Sequence, residues 1–205
     1  MTSKKQRGKN EHVGTVIDPE QVEGTADDII GVNPYGPDVQ DLWEVYQLHK
    51  HCFNNVDHVD TGLELRTPKE TLEKGGDCED QSVLLSSLLL SRGFPARIIS
   101  AHGHCVPEVF LPRGLNEETN EQIAKIYGEE NSSSFFACGD LDRGEGLDGH
   151  WFAVDTGRSY YIGDLDVLFD DEIVVEKEGL WTWNNFKASF SKMPEDYGFE
   201  NRFNN

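Results

Sequence analysis

Cys78 is the residue whose surroundings point most directly to chemistry, because it stands at the predicted start of a buried helix. Residues 75–77 before it read Gly-Gly-Asp, and residues 83–90 after it are mostly apolar. The glycines allow a sharp turn, and Asp77 can cap the first N–H groups of the helix. The positive end of the helix dipole favours a thiolate, and N–H groups there can bind an oxyanion. Cys78 is therefore a candidate nucleophile, and the alternative is an inert core thiol, which a lone cysteine more often is.

The acidic residues beside Cys78 imply that a thiolate there needs a cationic partner, because carboxylates facing the sulfur would raise the pKa of the thiol. Thiol catalysis also requires an imidazole to carry the proton and a carboxylate to orient that imidazole. His104 begins one predicted strand and Asp155 ends another. These rigid elements can supply the imidazole and the carboxylate.

Residue spacing alone leaves alternatives to this triad. His102 lies two residues before His104, and strand alternation puts both on one face. Asp155 could instead be a turn residue, as Asp often is. A zinc site using both histidines, Cys78 and Cys105 is an alternative, but no Cys-x-x-Cys pair supports it. The acidic residues near the thiol lack the spacing of an EF-hand. We expect no metal and no cofactor.

Helix signals recur along the chain. Apolar residues at helical spacing predict an amphipathic helix over residues 39–53. Thr67-Pro68 with Glu70 is typical of a helix start, because the hydroxyl and the glutamate can form a capping box. Gly93 lies where a left-handed residue would end the helix that begins at Cys78. Further helices are predicted over residues 117–127 and 181–190.

Strand signals follow the cysteine helix. Residues rich in β-branched side chains predict strands at 95–101 and 104–111. Pro107 lies within the second of these, which predicts a weakened ladder or an edge position. We expect further strands at residues 134–138, 165–169 and 173–176, and a hairpin that joins 150–155 to 158–162.

Several sequence blocks together resemble the transglutaminase-like superfamily, in the family's order and over roughly residues 38–162. They are Thr-Pro-x-Glu-Thr-Leu at 67–72, Gly-Asp-Cys-Glu-Asp-Gln at 76–81, Arg-Gly-Phe-Pro-Ala-Arg at 92–97, His-x-x-x-Glu-Val at 104–109 and Trp-x-x-x-Asp at 151–155. The resemblance implies an α+β, papain-like (cysteine proteinase) fold in which the nucleophile helix packs on an antiparallel β-sheet.

The resemblance also implies roles for individual residues. By it, Cys78 is the nucleophile, His104 the acid and base, and Asp155 the orienting carboxylate. The match at Glu108 favours His104 over the neighbouring histidine. Trp151 stands at the matching offset, and this favours the triad role of Asp155 over a turn role.

Further residues are candidates for the substrate groove. Backbone N–H groups at the helix start, with Trp43 or Gln81, are candidates for binding the oxyanion, and Trp151 for contacting substrate. The segment between the histidine and the aspartate is long, so an insertion at about 116–148 is expected to shield or shape the cleft. In relatives the residue beside the histidine is often followed by tryptophan; here these two positions are Cys105 and Val106, and this is expected to alter the groove.

These features predict thiol-dependent acyl transfer on amide bonds of a protein or peptide substrate. Hydrolysis by a cysteine peptidase or amidase is the leading hypothesis. Cross-linking by a protein-glutamine gamma-glutamyltransferase is the alternative, because the acceptor depends on water exclusion and groove shape. A different class of function is a binding or assembly module that keeps the fold without turnover.

Length and composition predict one catalytic domain at residues 36–192, with a flexible N-terminal arm at 1–35 and a tail at 193–205. The formal net charge is −20, which argues against nucleic acid and anionic membrane as partners. The acidic residues are spread along the chain, which favours adaptation to a high-salt interior over simple solubility. No signal peptide or membrane-length apolar run is evident, so we expect a cytoplasmic protein. The 4 cysteines lack paired spacing, which favours free thiols.

Overall fold

The computed structural model describes residues 13–62, 64–101, 104–111, 117–128, 150–157, 162–163, 173–176 and 179–182. Helices and strands are both present in this part of the chain, which is of the α+β class. The helices are α1 (Glu23–Ile30), α2 (Gln40–Asn55), α3 (Pro68–Lys74), α4 (Cys78–Ser91) and α5 (Glu117–Tyr127). The strands are β1 (Ala96–Ala101), β2 (His104–Leu111), β3 (His150–Ala153), β4 (Ile173–Glu176) and β5 (Gly179–Thr182).

The strands form one antiparallel sheet in the order β3-β2-β1-β4-β5. Strand β2 therefore lies between two neighbours, and the expectation that Pro107 marks an edge is wrong. The Pro107 carbonyl accepts a hydrogen bond from the N–H of Val154 at 2.8 Å. Val154 directly follows the last residue of β3, so the backbone of Pro107 faces the end of that strand. The missing N–H of Pro107 therefore removes little from the hydrogen bonding between β2 and β3.

Helix α4 forms the centre of the core. Each residue from 80 to 90 is buried, so the helix is covered on all sides. One side packs on β1 and β2, where side chains of alternate strand residues, including Cys105 and Val109, join its core cluster. Helices α2 and α3 cover other sides. The all-round apolar pattern in the sequence is thereby explained.

The expectation of a flexible arm over residues 1–35 is wrong for the part that the structure describes. Val13, Ile17 and Val22 are buried in the core cluster, and α1 packs against both α2 and α4. The N–H of Asp18 donates to the Ser87 hydroxyl of α4 at 3.0 Å. Burial of these apolar side chains outweighs the local glycines and prolines that suggested an arm.

Arg92, at the end of α4, also binds the amino-terminal segment through α1. Its guanidinium forms ion pairs with Asp27 of α1 and, at 3.0 Å, with Glu44 of α2. Gly93 follows with a φ of 76°, so the left-handed ending predicted for this helix is confirmed.

The segment expected to be an insertion is described only in its first part. There, α5 buries Ile123 and Ile126 in the core, and the Tyr127 ring packs edge-on against Tyr46 of α2 at 4.8 Å between centroids. This helix is therefore part of the core. Residues 129–149 lie outside the described residues, as does the strand expected at 134–138.

The carboxyl-terminal predictions have mixed outcomes. The strand predicted at 173–176 is confirmed as β4. The helix predicted from residue 181 is wrong at its start, because β5 continues through Thr182 and pairs with β4. Cross-strand pairing there overrides the local helical pattern. Residues 158–161, 165–169 and 183–205 lie outside the described residues.

Among the described residues, none of the helices is both long and apolar enough to cross a bilayer.

Candidate active site

The turn that delivers Cys78 requires two glycines. Gly75 has a φ of +74°, and a Cβ there would lie 2.4 Å from the Asp57 carbonyl oxygen. A Cβ on Gly76 would lie 2.4 Å from the Cβ of Asp80. Neither position therefore accepts a side chain without movement of the turn, and the helix start is fixed in place.

The carboxylates beside Cys78 serve the backbone. Asp77 caps α4, and its side chain accepts hydrogen bonds from the N–H groups of Glu79 and Asp80. The Asp80 side chain accepts from the N–H of Arg66 at 2.7 Å and from the Thr61 hydroxyl at 2.8 Å. The Asp80 side chain also accepts from the N–H of Asp77 at 3.2 Å, and this bond completes the capping box of the helix.

His104 and Asp155 form the ionisable pair expected from the sequence. The Nε2 of His104 lies 2.8 Å from the Oδ2 of Asp155, and both side chains are buried. The other carboxylate oxygen, Oδ1, accepts a hydrogen bond from the N–H of Gly157 at 2.8 Å. Both oxygens of the Asp155 carboxylate therefore have a hydrogen-bond partner, and Oδ2 is the one that orients the imidazole.

The Cys78 sulfur is in contact with two residues of β2. It forms hydrogen bonds with the His104 ring, with the Cys105 thiol and with the Cys105 backbone N–H. Since Nε2 of His104 faces Asp155, its Nδ1 is the nitrogen available to the sulfur. The structure thus brings Cys78, His104 and Asp155 together in the order sulfur, imidazole, carboxylate.

These contacts shift the pKa values of both reactive groups. The pKa of Cys78 falls from 9.0 to about 4, with the Cys105 thiol hydrogen bond as the largest cause; burial opposes the shift and His104 reinforces it. Burial alone would lower the pKa of His104, but hydrogen bonds and charge from Asp155 and Cys78 raise it from 6.5 to about 9. Between these two values the pair is a thiolate and an imidazolium, which is the reactive form of a catalytic cysteine.

Cys105 therefore has a larger part in the site than the sequence indicated. Its thiol and its N–H both reach the nucleophile, whereas the sequence suggested an effect on the substrate groove or, as an alternative, a zinc ligand. Its position directly after His104 was the available signal. Cys52, by contrast, is fully buried in α2, and burial raises the pKa of its thiol to about 12. Cys138 and His102 lie outside the described residues.

Two candidates for binding the oxyanion are occupied elsewhere. The indole N–H of Trp43 donates to the Ile30 carbonyl at 3.1 Å. The amide nitrogen of Gln81, which is 2% exposed, lies 3.3 Å from the Gly76 carbonyl and 3.5 Å from that of Val56. The N–H groups of both side chains have partners here, and a role in binding the oxyanion stays a prediction. Trp43 joins α1 to α2, and Gln81 supports the glycine turn.

Trp151 is likewise a structural residue in the described fold. Its ring lies 3.9 Å from the Arg97 guanidinium carbon and packs against Phe110. Arg97 forms a buried ion pair with Glu108 at 2.7 Å. Arg97, Glu108 and Trp151 all belong to the sequence blocks that resemble the family. They thus form one cluster that joins β1, β2 and β3. Trp151 is 4% exposed, and its contact with substrate stays a prediction.

His49 is a site residue that the sequence analysis missed. It lies on α2 and is 0% exposed, and its Nε2 lies 3.1 Å from the backbone carbonyl oxygen of Asp155. The available signal was a histidine at helical spacing within an apolar stripe that includes Leu42, Val45 and Cys52. Among the described residues, no group of three or more His, Cys, Asp or Glu side chains is arranged to hold a metal ion.

Comparison with known families agrees with the resemblance seen in the sequence. The model of the transglutaminase-like superfamily matches residues 35–156, which is more than half of the 205 residues. The chain therefore belongs to the transglutaminase-like superfamily. No match was found among curated proteins or among solved structures. The matched range contains the helix of Cys78 and ends directly after Asp155.

Proposed function

We propose that the protein catalyses thiol-dependent acyl transfer on amide bonds, with hydrolysis of a protein or peptide substrate as its reaction. The observation that carries this proposal is the continuous contact from the Cys78 sulfur through the His104 ring to the Asp155 carboxylate, with 2.8 Å between the last two groups. A helix of this kind packed against an antiparallel sheet also supports a papain-like fold for the domain.

In the first half of the proposed reaction, the Cys78 thiolate attacks the carbonyl carbon of an amide. A C–S bond forms, and the carbonyl electron pair moves to oxygen. When the tetrahedral intermediate collapses, the C–N bond breaks and His104 gives its proton to the leaving amine. The products of this half are the free amine and a thioester on Cys78.

In the second half, neutral His104 takes a proton from water as the water attacks the thioester carbonyl. The C–S bond breaks, the carboxylic acid is released, and the thiolate and imidazolium are restored. Asp155 keeps the imidazole oriented through both proton transfers and stabilises its charged form.

The backbone N–H of Cys78 is the donor that we assign to the oxyanion. Asp77 accepts from the N–H groups of Glu79 and Asp80. The Cys78 N–H, on the first residue of the helix, is not among the two that Asp77 caps. It points from the positive end of the helix dipole, where developing negative charge is favoured.

An acyl probe tests the proposal. The protein is mixed with p-nitrophenyl acetate, quenched in acid and analysed by mass spectrometry of its peptides. We expect an acetyl thioester on the peptide that contains Cys78, and none on that peptide in Cys78→Ala. Cys52→Ala is the matched control, because it removes a buried thiol of high pKa and should keep the label.

Adding a primary amine to the same reaction separates hydrolysis from cross-linking. Release of acetate supports hydrolysis, whereas transfer of the acetyl group to the amine would favour a gamma-glutamyltransferase-like reaction. If the folded protein forms no thioester although Cys78 reacts with iodoacetamide, a binding module without turnover would replace the proposal.

A further inference from the structure

His49 connects helix α2 to the backbone of the residue that orients the catalytic imidazole. The two residues are 106 positions apart in sequence, and their 3.1 Å contact is buried. A carbonyl oxygen can only accept a hydrogen bond, so the Nε2 of His49 must carry the proton. The contact is therefore an N–H···O=C hydrogen bond from a neutral or charged ring, and it fixes the tautomer of the neutral ring.

Asp155 is held by three different donors. Its Oδ2 faces His104, its Oδ1 accepts from the Gly157 N–H at 2.8 Å, and its backbone oxygen faces His49. Strand β3 ends at Ala153, and the Val154 N–H makes a further backbone hydrogen bond to β2, at 2.8 Å to the Pro107 carbonyl, directly before Asp155. The carbonyl of Asp155 is fixed by a side chain from another element.

We propose that His49 is a positioning residue for the catalytic carboxylate, setting the backbone of Asp155 so that its Oδ2 meets the His104 ring. The proposal rests on the proposed function, because it concerns the same three side chains. It adds a fourth residue, and with it helix α2, to the groups that align them.

The physical reason is the short reach of an aspartate side chain. With two side-chain torsions, its carboxylate follows any displacement of its own backbone. A backbone free to move would carry Oδ2 out of line with the imidazole, and misplacement of a catalytic group by about 1 Å can cost roughly 100-fold in rate. A buried, rigid histidine on a four-turn helix prevents that displacement.

The test compares three variants by the rate of Cys78 alkylation with iodoacetamide between pH 3 and 10. His49→Leu keeps an apolar group of similar size but removes the donor. His49→Gln keeps a donor, because its amide nitrogen can occupy the place of Nε2. Cys52→Ala, one turn further along α2 and equally buried, controls for loss of packing alone.

We expect His49→Leu to reduce the alkylation rate near pH 8 by about tenfold, because a displaced Asp155 lets the pKa of His104 fall from about 9 towards 6.5, and the imidazolium that holds the thiolate is then lost by that pH. His49→Gln should recover most of that rate, and Cys52→Ala should keep the profile of the unmodified protein. A leucine variant that folds and keeps the original profile would overturn the proposal. Equal losses in the leucine and glutamine variants, or in the cysteine control, would also overturn it.

A measurement on the unmodified protein covers the case in which His49→Leu does not fold. Long-range ¹H–¹⁵N spectra of the ring report which nitrogen is protonated. A protonated Nε2 with slow exchange of its hydrogen is expected, because the contact is buried. A ring protonated only at Nδ1 would exclude the hydrogen bond and overturn the proposal.

Alkylation requires the thiolate but no turnover. If His49 affects the alkylation profile while the acyl probe forms no thioester, the positioning role stands and the proposed function fails. If the probe labels Cys78 and His49 has no effect on either readout, the proposed function stands and the positioning role fails.

Discussion

The Nε2 of His104 lies 2.8 Å from the Oδ2 of Asp155, with both side chains buried. The first prediction concerns this pair. Asp155→Asn removes a charge and an acceptor that raise the pKa of His104, so that pKa should fall from about 9 towards 6.5. The imidazolium that supports the Cys78 thiolate is then lost at lower pH.

The measured effect of Asp155→Asn should be a fall of about tenfold or more in the rate of thioester formation at pH 8, since one pKa unit is a factor of ten. The pH profile of Cys78 alkylation gives the shift directly. Glu118→Gln, which neutralises an exposed carboxylate of α5, is the control and should change neither readout. An unchanged profile in folded Asp155→Asn would mean that the carboxylate does not support the imidazole.

The second prediction is a bell-shaped pH dependence for acyl transfer in the unmodified protein. Below a pH of about 4 the thiolate takes up a proton and the nucleophile is lost. Above about 9 His104 loses the proton that the leaving amine needs. Activity should therefore fall on both sides of a plateau between these values. A profile that rises only near pH 8 to 9 would indicate an ordinary thiol with no imidazolium partner.

The third prediction concerns Cys105, whose thiol is the largest cause of the low pKa of Cys78. Cys105→Ala should raise the pKa of Cys78, so the lower limb of the alkylation profile moves upward. Cys105→Ser keeps a hydrogen-bond donor and should move that limb less. Peptide mass spectrometry assigns the label to Cys78 in each variant. Equal profiles in the alanine variant and the unmodified protein would contradict the prediction.

The fourth prediction compares two glycines that have the same φ of +74° but different surroundings. Gly128→Ala meets open space and should cost only the left-handed strain, about 1–2 kcal/mol. Gly75→Ala also places a Cβ 2.4 Å from the Asp57 carbonyl oxygen, which should cost roughly 1–3 kcal/mol more. Urea unfolding measures both. Equal losses would show that the turn before Cys78 has room for a side chain.

The fifth prediction tests the packing of the amino-terminal segment with two valines. Val22 is 1% exposed and Val32 is 89% exposed. Val22→Ala should reduce the free energy of unfolding by about 2 kcal/mol, from lost burial and the cavity left behind. Val32→Ala should change it by no more than about 0.5 kcal/mol. Equal, small effects of the two substitutions in urea unfolding would mean that this segment is a flexible arm.

The parts of the site that depend on local sequence could be predicted. The capping residues Thr67 and Asp77 and the glycines before Cys78 act within a few positions, so their types and spacing define the turn and the helix start. The pairing of His104 with Asp155 depended on the resemblance to a family, because spacing alone did not distinguish His104 from its neighbour.

The remaining features depend on tertiary contacts that a local pattern does not contain. The contact between His49 and Asp155 spans 106 positions, and that between Arg97 and Glu108 follows from the register of β1 on β2. The glycines and prolines of the amino-terminal segment suggest an arm, but its apolar residues are buried. Val22, Ala26 and Ile30 lie four positions apart, a helical spacing that was present in the sequence.

The range matched by the superfamily model is smaller than the unit that folds. A fragment trimmed to residues 35–156 would lack α1, which packs on α4, and β4, which pairs with β1. It would leave an apolar side of α4 open to water and turn β1 into an unprotected edge, and both favour aggregation. Recombinant fragments for crystallisation or labelling should therefore begin before residue 13 and extend past residue 182.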